Sequence, residues 1–504
     1  MDHGDAFYQA MLTRDHRFDG KFFVGVKTTG IYCRPICPAR PKRINVEFFP
    51  TGDAAEKAGY RPCLRCRPEA APLSAAWEGK SAVVQRALRI LRDSQALADD
   101  ENVFALRFGV TARHLRRLFI EEIGKTPKRI AFENRLNLSR KLISETALPI
   151  AEIGFAAGFS SIRRFNAAFL ERFKKPPSGI RRFSPDGASS MVLSLPYRPP
   201  FDFDGLLAFY SRHAIAGLET FAPGRYVRIV SFEGKSGRIA VTNDPSANRI
   251  LVAYDFPDLG AIDVILNRVR DMFDLDSDPL LIANAMRRDR RFAAFLAKRA
   301  GARLPTGWDR FETAIATILG QLVSVAQGRR LVDQVVRLYG VPTGLEENGK
   351  PILAFPLPEI LARADFAELG TTGKRKAALA AFANEVASGR LSLESTQDVE
   401  AFRTAVLAIP GIGRWTADYM ALRVLGHADA FPATDLVLAR ALAKHGPEAI
   451  AKLSPWRGYA AILLWGEYAH AGKAAESMNQ KSPGLMRGKQ KTPAGNVSGR
   501  RKSE

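Results

Sequence analysis

No cysteine follows Cys66 in this chain of 504 residues, and only four occur in all. Thiol nucleophiles, cysteine-ligated clusters and disulfides are therefore excluded beyond residue 66. Long apolar runs are also missing, so neither a secretory leader nor a membrane span is expected, and a reducing cytoplasm is the expected setting. Acidic residues are in short supply, 52 against 74 Lys and Arg, which leaves a net charge of +22. Nucleic acid is the first partner this suggests, with an anionic membrane surface second. The body of the chain lacks even that excess. Residues 1–183 carry 33 basic against 19 acidic side chains and residues 473–504 carry 8 against 2, whereas the stretch between carries 33 against 31. If the body binds DNA, it does so through shaped local contacts.

What is present is ordinary globular material, 46% hydrophobic and 25% charged, enough for three or four domains. The cysteines stand as two close pairs, Cys33 with Cys37 and Cys63 with Cys66. Four soft thiolates that fold onto one point suit tetrahedral Zn(2+). Two disulfides are the alternative, and an iron–sulfur cluster fits less well because its ligand runs are spaced differently. Arg34, Arg40, Lys42, Arg43, Arg61, Arg65 and Arg67 flank the pairs. Such cations lower thiolate pKa and attract phosphate, so the site is expected to lie against a nucleic acid backbone.

The strings Thr28-Thr-Gly-Ile-Tyr-Cys-Arg-Pro-Ile-Cys37 and Tyr60-Arg-Pro-Cys-Leu-Arg-Cys66 resemble the zinc domain of Ada regulators over residues 1–75. The resemblance implies that the first zinc-bound cysteine, Cys33 by position, accepts a methyl group from a phosphotriester in damaged DNA. Spacing alone does not choose among the four. The flanking charges themselves suggest DNA contacts from Arg34, Arg40 and Arg43.

Residues 81–183 are helical by period and contain two similar units, Val103–Phe119 and Ile150–Phe165. Each has a short apolar helix, a turn at Gly109 or Gly158, a capping Thr or Ser, and a second helix rich in arginine. This is the helix-turn-helix pattern. A plain helical segment with solvated arginines is the alternative for either unit taken singly. The tandem resembles the DNA-binding domain of AraC-type regulators, including the closing Phe173-Lys-Lys-Pro-Pro-Ser178. It would place Arg113, His114, Arg116, Arg117, Ser161, Arg163 and Arg164 near the major groove.

A linker is expected at 70–74 and another at 184–190. From Met191 the pattern alternates. Arg225–Phe232, Gly237–Thr242 and Arg249–Tyr254 read as antiparallel strands, and Phe203–Leu218 and Leu259–Phe273 as helices, giving a small α+β domain over 191–275. Residues 276–470 read as all helix, and 471–504 as a basic disordered tail. The fold class expected is thus multidomain and mainly α, with a small α/β zinc domain in front.

Pro410-Gly-Ile-Gly-Arg-Trp-Thr-Ala417 offers the backbone N–H groups around Gly411 and Gly413, and the start of a helix, to an anion. A purely steric turn is the alternative reading. Asp435 in Phe431-Pro-Ala-Thr-Asp-Leu436 sets one carboxylate at a helix start, where a mere N-cap is the alternative. Together with Ile318-Leu-Gly-Gln-Leu-Val-Ser-Val325 and Lys452–Ala460, these strings resemble the AlkA-type helix-hairpin-helix DNA glycosylases from about Leu193 to Ala469. The resemblance implies Asp435 as the catalytic carboxylate, Trp415, Tyr419 and Trp456 as the aromatic pocket, and Leu322 as the wedge entering the duplex. Bifunctional relatives carry a lysine where this chain has Trp415, so base excision without strand cleavage is expected. Many Ada proteins end in a second methyltransferase domain with its own cysteine. Here a glycosylase stands in its place.

The expected whole is an alkylation-damage protein, acting on damaged and promoter double-stranded DNA, with RNA polymerase as a further partner and a monomeric, nucleoid-associated state. Two rivals remain: a transcription factor whose rear half only binds DNA, and a repair enzyme whose front half only tethers it.

Overall fold

A computed structural model describes residues 3–13, 22–37, 39–50, 52–63, 66, 68, 80–92, 100–181, 191–287, 289–394 and 398–467. The expected linkers, the basic tail, Arg65 and Arg67 lie outside the described residues.

The cysteine region is built on a four-stranded sheet in the order Val46–Phe49, Phe23–Val26, Ile31–Cys33, Arg61–Pro62. Side chains alternate across it. Phe22, Val24 and Val46 pack on one face with Ala10 and Met11, while Phe23, Tyr32 and Ala55 pack on the other. The last two strands run parallel, with Ile31 opposite Arg61 and Tyr32 opposite Pro62. Parallel pairing brings both strand ends, and with them both cysteine pairs, to the same edge.

Behind it, helix Lys80–Ile90 packs Val84 and Ala87, with Leu91, on Phe104, Leu115, Leu118 and Phe119 of the first helix-turn-helix unit. Each recognition helix is capped as the sequence suggests. Thr111 accepts from the His114 N–H ahead of Ala112–Ile123, and Ser161 from the Arg164 N–H ahead of Ile162–Phe173. Gly109 and Gly158 supply the turns, at φ of +67° and +82°.

The second unit does not keep its own core. Leu142, Ile143, Ile153, Phe165 and Phe169 form one cluster with Leu193, Tyr226, Val252, Val269 and Phe273 of the following α+β region. Glu145, at the end of the long helix Pro127–Glu145, accepts from the N–H and the Oγ of Ser194, both at 2.8 Å. Arg92 pairs with Asp276 at 2.8 Å.

The α+β region is a five-stranded antiparallel sheet in the order Met191–Pro196, Arg249–Asp255, Lys235–Asp244, Arg225–Phe232, Glu219–Ala222. Helices Phe203–Arg212 and Ile262–Met272 cover it. The first of these stops six residues earlier than its apolar period suggests. Glu219 draws the chain aside by accepting from the Ile215 N–H at 2.9 Å, and Ile215 and Leu218 enter the core of the helical region instead. Arg228 on the sheet is buried between Glu219 and Glu312, the latter on helix Arg310–Leu319, and so locks sheet to helices.

The rear is helical with one exception. Val341–Glu347 and Lys350–Ala354 form an antiparallel hairpin, which corrects the reading of 276–470 as all helix. Asn348 and Gly349 both have positive φ (53° and 71°), the Asn-Gly turn signal that marks such hairpins. Two apolar clusters carry this half, one around Phe311, Leu379 and Phe402, the other around Phe292, Leu438 and Leu463. Among the described residues no helix is long and apolar enough to cross a membrane.

Asp274 gives this region a pH dependence. Burial pushes its carboxyl up to about 6 even though it accepts from the Leu304 N–H (3.0 Å) and the Tyr459 hydroxyl (2.7 Å). A carboxyl with a folded pKa above its unfolded one favours the folded state when protonated, so stability is lost as pH rises from about 4 through about 6. Both bonds go to Oδ2, which an amide oxygen can replace, and φ at this residue is +51°, where Asn is better tolerated than Asp. Asp274→Asn should therefore raise stability by about 2 kcal/mol at pH 8 and by almost nothing at pH 4. Thermal unfolding at the two pH values measures this.

Candidate active site and metal centre

The four cysteine Sγ atoms lie within 4.8 Å of one another. A tetrahedron of sulfurs around zinc has edges of about 3.8 Å, so the cluster would hold that ion after drawing in by about an ångström at most. The disulfide alternative is not taken up: all four are free thiols. Hydrogen bonding with Cys37 and Cys66, together with burial, pushes the Cys33 thiol up, and the bond from Cys33 pulls Cys37 down to about 2. Thiols this close cannot all ionise by themselves, and a dication makes it possible. The second shell is local. The Arg34 N–H donates to Cys66 Sγ at 3.4 Å, and the Cys63 N–H to the Tyr32 carbonyl at 3.0 Å.

The flanking cations divide. Arg34 is 4% exposed and its guanidinium donates to the Cys66 carbonyl at 3.3 Å, so it supports the metal loop and is not presented to DNA. That corrects its expected role. Arg43 lies over Tyr8 and Phe48 and pairs with Asp5 at 3.1 Å. Arg40 is exposed.

On the recognition helices, Arg113, Arg163 and Arg164 are exposed and form no ion pair among the described residues. His114 Nδ1 lies 3.0 Å from Arg117 Nη2. Arg116 is half exposed and donates to the buried Glu101 at 2.9 Å, and Ser161 spends its hydroxyl on capping. Arg116 thus already has an acidic partner, and Ser161 has the capping role that the sequence also suggested. Residue order along a helix gives the face but not which neighbour a long side chain finds.

The rear half contains a cavity of about 510 Å³ between sheet and helices. Trp415 and Tyr419, from the helix Arg414–Arg423, line it together with Asp435. Tyr419 stacks on Trp415 (5.1 Å, 25°). Asp435 caps helix Leu436–His445, where Oδ1 accepts from the N–H groups of Val437 and Leu438 at 3.0 and 3.2 Å. The capping reading holds, and two indoles also grip the same carboxylate. Trp415 Nε1 donates to Oδ2 at 3.1 Å and Trp465 Nε1 to Oδ1 at 2.9 Å.

Trp456 is not among the cavity-lining residues. It packs edge-on against Tyr459 in the cluster of Phe292 and Leu463. The indole the cavity uses is Trp465, on helix 457–467 and 5.7 Å from Tyr419. Sequence reading chose the tryptophan just before that helix, and only the helix direction distinguishes the two.

Leu322 sits between helices Arg310–Leu319 and Val325–Tyr339, fully exposed (102%) and at a φ of +54°. A leucine left in the strained left-handed region with no contact has no packing purpose. Its neighbour Gln321 fixes it to the glycine turn, donating to the Gly411 carbonyl (3.3 Å) and Thr416 Oγ1 (2.8 Å), while Arg375 donates to the Gln321 carbonyl. Gly411 has a φ of +87°, and Gly413 starts the helix with no side-chain cap, so the first N–H groups there stay available. Gln321 and Arg375 are positioning residues the sequence reading passed over.

Three stretches match known domain families: the metal binding domain of Ada over residues 6–69, a helix-turn-helix domain over 104–182, and the AlkA N-terminal domain over 192–309. DNA-3-methyladenine glycosylase 2 of Escherichia coli is 31% identical over 281 residues, 54% of this chain and 96% of that protein. The bifunctional transcriptional activator/DNA repair enzyme Ada of the same bacterium is 39% identical over 130 residues, 25% of this chain and 34% of that protein. The class is thus a DNA-3-methyladenine glycosylase joined to a zinc-bearing DNA-binding regulator. One relative has the whole arrangement. The probable bifunctional transcriptional activator/DNA repair enzyme AlkA of Mycobacterium tuberculosis is 37% identical over 480 residues, 92% of this chain and 96% of its own length. The chain belongs to that family of bifunctional activator and repair enzymes.

Proposed function

We propose that this protein excises alkylated purines of the 3-methyladenine type from double-stranded DNA, and that it moves methyl groups from DNA phosphotriesters onto Cys33. The first activity is carried by one observation: a carboxylate held by two indoles inside an aromatic cavity. An alkylated purine is positively charged and leaves readily, so little acid catalysis is needed. Asp435 supplies the negative charge that stabilises the oxocarbenium-like sugar as the glycosidic bond breaks, and it orients the attacking water. Aromatic faces hold the departing base. Trp415 offers no amine for a Schiff base, which supports release of the base without strand cleavage.

Leu322 fills the gap left by the flipped nucleotide in this reading, while the N–H groups after Gly411 and Gly413 hold a phosphate. Leu322→Ala should leave the melting temperature within about a degree, because the side chain touches nothing. It should slow excision from paired duplex at least about tenfold, and less from an unpaired lesion, where unstacking is already done. Equal slowing on both substrates would contradict the wedge role.

At the front, Cys33, Cys37, Cys63 and Cys66 hold zinc, which supplies electrostatic stabilisation of thiolate. Cys33 sulfur attacks the methyl carbon of the triester. An S–CH₃ bond forms, the O–CH₃ bond breaks, and a phosphodiester anion leaves. Four thiolates on a dication carry two net negative charges, and methylation leaves one, so repulsion from DNA falls and promoter affinity rises. Arg113, His114, Arg117, Arg163 and Arg164 contact the promoter, RNA polymerase is the partner recruited, and the protein works as a monomer at the cytoplasmic nucleoid. One experiment tests both activities. Duplex DNA carrying labelled methyl groups should yield free labelled base in solution and label on Cys33 of the protein, and the absence of either product overturns that half of the reading.

A further inference from the structure

His213 lies just beyond the helix Phe203–Arg212 and lines the cavity that also holds Asp435, Trp415 and Tyr419. Its ring stacks on Phe209, with centroids 4.6 Å apart and planes 28° from parallel. Nδ1 lies 2.9 Å from the Phe209 carbonyl oxygen. A carbonyl only accepts, so Nδ1 carries the hydrogen. Although His213 is open to the cavity, partial desolvation by the cavity wall and the nearby Arg423 and Arg212 guanidiniums lower it to about pKa 4, which agrees with the neutral ring set by the Nδ1 contact. Nε2 therefore keeps a lone pair, and it makes no hydrogen bond among the described residues.

The carboxylates that line this cavity already have partners. Asp435 is filled by indole and backbone donors, and Glu219 by Tyr226, Arg228 and the Ile215 N–H. Arg228 also holds Glu312. The wall beside His213 is made of donors. The Arg423 guanidinium carbon lies 4.4 Å from the Phe209 centroid and 5.8 Å from that of Tyr419, and it donates to Tyr419 Oη at 3.1 Å. His213, Phe209, Arg423 and Tyr419 thus form one continuous wall leading to Trp415. On it, His213 Nε2 is an open acceptor whose direction is fixed by a stacked ring and a tautomer-setting carbonyl.

We propose that His213 reads the flipped base by accepting a hydrogen bond from the exocyclic amino group of a 6-aminopurine, and so favours adenine-type lesions over 6-oxopurines. A 6-oxo oxygen in the same place would face the histidine lone pair with its own, and neither group could donate. The inference rests on the excision reading, which gives the cavity its occupant.

The test compares rates of release of 3-methyladenine and 7-methylguanine from one sample of methylated duplex DNA, using the full chain. Their ratio cancels any loss of folded protein in a variant. His213→Phe keeps the stack and removes the acceptor, and should lower the ratio of 3-methyladenine to 7-methylguanine about tenfold. His213→Lys puts donors where the acceptor was, and should lower it further by speeding 7-methylguanine. A ratio within about twofold of wild type in both variants overturns the role of His213 alone. Wild-type protein that releases neither base overturns the excision reading, and this inference with it.

Discussion

Replacing Asp435 with Asn should reduce base release about a thousandfold while the protein remains folded. Asn is as good an N-cap as Asp, and its single oxygen can still accept from Val437 and Leu438. The amide nitrogen must then face one of the two indole N–H groups, because Trp415 and Trp465 donate to different oxygens of the carboxylate. One hydrogen bond is lost and the charge is removed, at a stability cost of about 1–2 kcal/mol. The charge is what the oxocarbenium-like sugar requires, so rate falls far more than stability. Base release on methylated duplex and thermal unfolding, measured on the same preparation, separate the two effects. If the variant released bases at the wild-type rate, Asp435 would be reduced to a helix cap.

Zinc removal should have the largest structural effect in the molecule, and a confined one. Among the described residues, the sheet of the cysteine region packs only two small clusters, one around Phe22 and Val24 and one around Tyr32 and Ala55. Cores of that size leave a domain marginal, whereas binding of a structural zinc contributes about 10–16 kcal/mol. A strong chelator, or Cys37→Ser, should therefore unfold this sheet. Amide exchange in Phe23–Val26 and Ile31–Cys33 should lose protection by orders of magnitude, while exchange in Arg310–Leu319 and release of bases stay as they were. Strands that kept their protection after stoichiometric zinc loss would mean that the apolar clusters hold the sheet unaided.

Much of this was legible because it rests on local rules. Capping residues Thr111 and Ser161 announce the recognition helices, the run Arg225–Phe232 coincides with its strand, and Asp435 stands where a helix begins. The cysteine pairs were visible as pairs, though only the parallel register of Ile31–Cys33 with Arg61–Pro62 brings them to one edge. What stayed hidden depends on distant partners. Arg34 looks like any basic residue until the Cys66 carbonyl is found beside it, and Arg116 until buried Glu101 claims it. Trp456 and Trp465 are equivalent as residues, and the turn ahead of helix 457–467 determines which of them reaches Asp435. His213 faces the cavity only because its helix stops at Arg212, against an apolar period that runs further.

The cluster that joins the second recognition unit to the five-stranded sheet has a mechanical consequence. With Phe165 and Phe169 of the reading helix in the same packed core as Tyr226 and Phe273, that helix has no swivel with respect to the excision half. The two halves share a handle and lack a leash. Turning one against the other would therefore mean opening that shared core, not bending a linker.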